Sequence, residues 1–90
     1  GQEKSYQIRL SRRAVAWVTE DPWHTEQSIS EDTNGEFLLE VNAAHDLEII
    51  PRVLALGIDA ELMAPEETRR ILQEVISQLG NNYSTQVSED

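Results

Sequence analysis

Three arginines, Arg9, Arg12 and Arg13, crowd the start of a chain that is otherwise rich in acids. Guanidinium groups beside the opening N–H groups of a helix suit an anion, whether phosphate, a nucleotide or a carboxylate partner. The competing reading is pairing with the chain's own carboxylates. Arg12 and Arg13 fall in the first turn of a predicted helix, where positive charge opposes the helix dipole. Local stability therefore does not account for their placement, and the three are the candidate contacts for an anionic effector.

The other reactive side chains converge less. His24 and His45 are the two histidines, with Asp21 and Glu26 near the first and Asp46 and Glu48 near the second. Neither has the spacing of a metal-binding helix, and surface or capping roles are expected for both. Ser5, Ser11, Ser28 and Ser30 lack the strained elbow that exposes a catalytic serine. The four glycines are scattered, so no phosphate loop is expected. With 17 acids among 90 residues, neighbouring carboxylates arise by chance and read as solvated surface. The absence of cysteine excludes disulfides, thiolate metal sites and a cysteine nucleophile. The expectation is a non-enzyme with no catalytic residue, metal or cofactor.

The elements that would hold these residues follow from periodicity. Tyr6, Ile8 and Leu10 alternate with Gln7 and Arg9, the pattern of a half-buried strand. Ser11 suits the N-cap of a helix from Arg12 to about Glu20, with Ala14, Val15, Trp17 and Val18 on its apolar face. Asp21-Pro22 ends it. A weaker strand over Thr25–Ser30, a turn at Asn34-Gly35 and a strong strand over Glu36–Asn42 form a predicted hairpin. Asp46 is placed to cap a helix burying Leu47, Ile50, Val53 and Leu54. In that helix Pro51 marks either a kink or the true start. Gly57 stops it, Ala60–Met63 is a short strand, and Pro65 opens a helix to Leu79. That last helix carries Thr68, Ile71, Leu72, Val75, Ile76 and Leu79 on one stripe, and Gly80 is expected to close it.

The order β-α-β-β-α-β matches the split βαβ, or ferredoxin-like, arrangement, and the further helix is an addition to it. The expected class is therefore α+β. Residues 1–5 read as a linker or cleavage scar, residues 6–80 as the domain and residues 81–90 as a polar, flexible tail that Tyr83 could pin. A first residue other than Met points to a fragment of a longer protein. Net charge is −10, which repels nucleic acid and anionic membranes on average. No apolar run is long enough to span a membrane, no signal peptide is visible, and the expected compartment is the cytoplasm. RNA binding on the open sheet face would need aromatic stacking residues. Gln7, Arg9, Leu38 and Glu40 are predicted there instead. Trp23, following the turn, reads as a core residue or as an interface anchor.

The segment Asp21-Pro22-Trp23-His24, with Gln27 three residues on, precedes Gly35 and the run from Leu54 through Gly57, Asp59-Ala60-Glu61-Leu62 and Pro65-Glu66-Glu67 to Arg69. In this order and spacing the motifs resemble the C-terminal extension (WCX) of WYL-domain transcriptional regulators, over about Tyr6 to Tyr83. The resemblance implies a ferredoxin-like, non-catalytic module of a bacterial DNA-binding regulator, one that helps dimerise it and sense effectors. It implies a homodimer or an upstream WYL domain as partner, and DNA contact only through an upstream helix-turn-helix. Trp23, His24 and Gln27 carry the motif, and Leu38 and Leu62 are candidate interface residues. A ferredoxin-like domain binding a small anionic ligand is the alternative.

Overall fold

A computed structural model describes residues 2–84. Strand β1 (Lys4–Leu10) sets the plan. Tyr6, Ile8 and Leu10 on one side of it are fully buried, while Ser5, Gln7 and Arg9 face the other way. Strands β2 (Ser28–Glu31), β3 (Phe37–Ala43) and β4 (Ala60–Ala64) complete an antiparallel sheet in the order β2-β3-β1-β4. The register sets Tyr6 opposite Val41 and Ile8 between Leu39 and Leu62, so the apolar residues of neighbouring strands share one face.

Helices α1 (Arg12–Glu20), α2 (Ile50–Ala55) and α3 (Glu66–Ser84) complete the α+β domain. Ala14 and Val18 of α1, Val53 of α2 and Leu72 of α3 join the strand residues in one core, so the helices cover the same sheet face. Ser11 caps α1 as expected, its Oγ accepting the Ala14 N–H at 3.2 Å. Gly35 and Gly57 both take positive φ, closing the hairpin and ending α2. Asp32 supports the hairpin by accepting the N–H groups of Asn34 and Glu36 through Oδ1.

Several expectations fail in instructive ways. The segment after β3 is not one helix from Asp46. It makes a 3-10 turn over Asp46–Glu48, and α2 begins at Ile50 with Pro51 in its first turn. Proline has no N–H to give and is accommodated only there. The restart rotates the face: Ile49 is buried and Leu47 lies exposed. Trp17, expected in the core, is 45% exposed, because Ala14 and Val18 suffice to seat α1. The weak strand begins at Ser28, since Thr25 and Glu26 lie in the preceding turn. Gly80 does not end α3. It keeps a helical φ, and the helix runs on through Asn81 and Tyr83 to Ser84. Tyr83 is consequently 79% exposed and pins nothing. The rest of the expected tail lies outside the described residues.

Candidate functional site

The motif around Trp23 is a folded loop held by one side chain. Gln27 accepts the Trp23 N–H at 2.8 Å through Oε1 and donates Nε2–H to the Val18 carbonyl at 3.2 Å. An amide alone offers an acceptor and donors on a short stem, so Gln27 fastens the loop to the last turn of α1. The loop bends at His24, whose Nδ1 accepts the Glu26 N–H. Trp23 is half-buried against the core, with the Arg52 guanidinium 5.9 Å above its ring. Trp23, His24 and Gln27 thus come together as the support for the α1–β2 connection.

The three arginines do not meet at one point. Arg9 lies on the open sheet face, where Nε and Nη2 both donate to Glu61 Oε1, at 3.1 and 2.9 Å. Arg13 donates to Asp59 Oδ1 at 3.0 Å and stacks on Trp17. Arg12 sits over the Phe37 ring, 5.4 Å from its centroid. Pairing with the chain's own acids therefore takes two of the three. The Arg13 hydrogen bond holds the Asp59 carboxyl below its usual range, as the Arg9 and Arg69 guanidiniums do for Glu61.

The start of α3 is fixed by a polar hub. Asp46 Oδ1 accepts the Tyr6 hydroxyl at 2.6 Å, the Thr68 hydroxyl at 2.9 Å and Lys4 Nζ at 3.2 Å. Tyr6 and Thr68 are fully buried, so the carboxylate satisfies two hydroxyls that water does not reach. Burial, then the bond to Asp46, pushes the Tyr6 phenol up. The Tyr6 hydroxyl in turn holds Asp46 below the usual carboxylate range. The hub links β1, the loop after β3 and the first turn of α3.

Beyond that hub α3 leaves the body. Thr68 and Leu72 are buried, yet every residue from Ile76 to Ser84 is exposed. At helical spacing Ile76, Leu79 and Tyr83 continue the line that Thr68 and Leu72 begin, so the stripe is apolar along its length and covered only at its start. Where helix and body part, a groove of about 430 Å³ opens, lined by Val53 and Leu54 of α2, Ile58, Leu72, Ile76 and Leu79 among others. Arg69 and Glu61 lie along it too. Arg69 Nη1 donates to Glu61 Oε2 at 3.0 Å and to the Leu62 carbonyl at 2.6 Å, on the outer edge of β4. Glu61 is thus shared by Arg9 and Arg69, two cations to one anion.

Of the candidate interface residues, Leu38 lies half-buried on the open face between Arg9 and Ser30. Leu62 is buried in the core and offers no free surface, and Met63 takes the outward position. Beyond these, the structure singles out Arg69, Glu61, Asp46 and the stripe's extension to Tyr83. The stripe has a sequence signal in its spacing. The arginine-carboxylate chain is not legible there, because Arg9 lies 52 residues from Glu61 and Arg69 reaches Glu61 only across the β4–α3 junction. Among the described residues no group of His, Asp or Glu could hold a metal ion, and no helix is long and apolar enough to cross a membrane.

A family model described as the WCX domain matches residues 5–80 of this chain. No curated protein matches it.

Proposed function

The chain belongs to the WCX domain family, and on that premise we propose that it works by docking: a regulatory domain whose projecting third helix seats on a second subunit or on an attached WYL domain. WCX domains are regulatory domains associated with WYL transcriptional regulators. The finer reading has three parts. The first is a ferredoxin-like sheet, a reading supported by the strand order, with β3 between β1 and β2 and β1 between β3 and β4. The domain dimerises or packs on its neighbour, and it senses an effector. DNA contact belongs to other parts of the regulator, a division that the net charge of −10 supports.

The observation that carries the docking reading is the unequal burial of one stripe. Thr68 and Leu72 are covered, whereas Ile76, Leu79 and Tyr83, in the same line, are not. A contiguous exposed apolar face beside a groove marks an interaction surface. Ile58, 91% exposed, adds to it from the opposite wall. Sedimentation of the chain over a wide concentration range, alone and joined to a WYL domain, tests the reading. Concentration-dependent association, or slowed amide exchange along Ile76–Tyr83 in the joined protein, is expected. Ile76→Glu with Leu79→Glu should abolish either. A monomer throughout, with unprotected α3 amides in the joined protein, overturns the docking reading.

A further inference from the structure

We propose that the groove between α2 and α3 is a binding site for a small amphiphilic carboxylate, with Arg69 as the group that receives its head. The inference deepens the sensing part of the function proposed above and rests on it for its regulatory meaning. The binding itself stands on the geometry of the groove.

Three observations support this. The volume, about 430 Å³, lies in the range of small-molecule sites, and the lining is chiefly aliphatic, from Leu54, Ile58, Leu72 and Ile76. The polar end carries Arg69, whose partner Glu61 is divided between it and Arg9 on the open sheet face, so the guanidinium at the groove is only partly neutralised. Finally, Arg69 commits only Nη1 to protein acceptors among the described residues, to Glu61, the Leu62 carbonyl and, weakly, the Met63 sulfur. Its Nε and Nη2, the pair that matches the two oxygens of a carboxylate, have no protein acceptor there. An aliphatic or aromatic acid satisfies both halves, whereas a neutral apolar molecule leaves the guanidinium edge unused. A small inorganic anion leaves the aliphatic walls wet.

Occupancy would be felt by α3. The ligand's body would touch Leu72 and Ile76, at the point where the helix leaves the core, and its head would compete with Glu61 for Arg69. The docking stripe and the pocket share Ile76 and Leu79, so a bound acid changes the surface that a partner meets.

Titration with sodium octanoate below its micelle concentration, followed by calorimetry and by amide and methyl NMR shifts, tests the proposal. Octanoate is expected to bind with shifts at Leu54, Ile58, Leu72 and Ile76. Hexanoate should bind about tenfold more weakly for its two missing methylenes. Octanol and acetate should each bind at least tenfold more weakly than octanoate. Arg69→Gln should remove the preference for octanoate over octanol. Because Arg69 also ties down β4, Ile76→Glu serves as a second variant: its side chain is half-exposed, so the fold should persist while octanoate affinity falls at least tenfold. Equal binding of octanol and octanoate, shifts centred on Arg12 and Phe37, or no binding by a folded protein overturns the assignment. A chain that binds octanoate yet stays monomeric, with unprotected α3 amides when joined to a WYL domain, would sink the docking reading alone, and a chain that docks without binding any acid would sink this one alone.

Discussion

Tyr6 donates its hydroxyl to Asp46 Oδ1 across 2.6 Å, and this bond ties the first strand to the loop that leads into α2. The same oxygen receives Thr68, so one carboxylate also ties down the first turn of α3. The aliphatic contacts in the core are interchangeable by comparison, because hydrophobic burial has no direction. The Asp46 bonds do have direction, and they hold the first turn of α3 to β1.

Removal of the carboxylate is therefore expected to cost more than removal of either donor. Asp46→Ala strands the Tyr6 and Thr68 hydroxyls in a buried site and should destabilise the domain by about 2–4 kcal/mol, against about 1 kcal/mol for Tyr6→Phe. Urea unfolding of both variants at neutral pH measures the difference. Equal losses would show that the hub is not shared in this way.

The same hub sets a pH dependence. Asp46 titrates below its ordinary value in the folded state, chiefly because of the Tyr6 hydroxyl. The unfolded chain therefore takes up a proton first as pH falls. The stabilisation is complete above the unfolded carboxylate pKa, about 3.9, and disappears as pH drops through the lower folded value. Asp59 and Glu61 are depressed in the same direction and contribute to the same acid loss. Denaturant midpoints from neutral pH down to about pH 2.5 should converge for the wild type and Asp46→Asn below about pH 4. A gap that persists into acid would assign the stabilisation to shape rather than charge.

One stripe in two environments gives a paired expectation. Leu72→Ala opens the core and should cost about 2–4 kcal/mol. Ile76→Ala, one turn further along and half-exposed, should cost less than about 1 kcal/mol in the monomer. Thermal melts at low protein concentration read the contrast. A large loss for Ile76→Ala under those conditions would mean that the outer half of α3 is covered in solution.

The two helical-region glycines should respond with opposite sign. Gly57 holds φ at +61° with open space around a built Cβ, so Gly57→Ala meets a backbone penalty alone, about 1–2 kcal/mol. Gly80 is inside α3 with equally open space, so Gly80→Ala should stabilise the helix by up to about 1 kcal/mol. Far-UV circular dichroism during thermal unfolding separates them.

The sequence by itself determined the elements and their order. Alternation in Tyr6–Leu10 and Phe37–Val41, the cap at Ser11, the stop at Gly57 and the stripe from Thr68 are local signals, and each was legible because periodicity and turn chemistry act over a few residues. The motif of Trp23, His24 and Gln27 was legible as a pattern, while its role as a loop fastener required seeing the Val18 carbonyl. Tertiary structure decided the rest. It paired Arg9 and Arg13 with acids some fifty residues away, drew Arg69 onto Glu61 and buried Leu62. It left Trp17 outside and carried α3 past Gly80. These outcomes depend on which surfaces the sheet register and helix docking bring together. A charge far along the chain becomes a neighbour only when the backbone places it there, and an apolar stripe is covered only as far as the body beneath it extends.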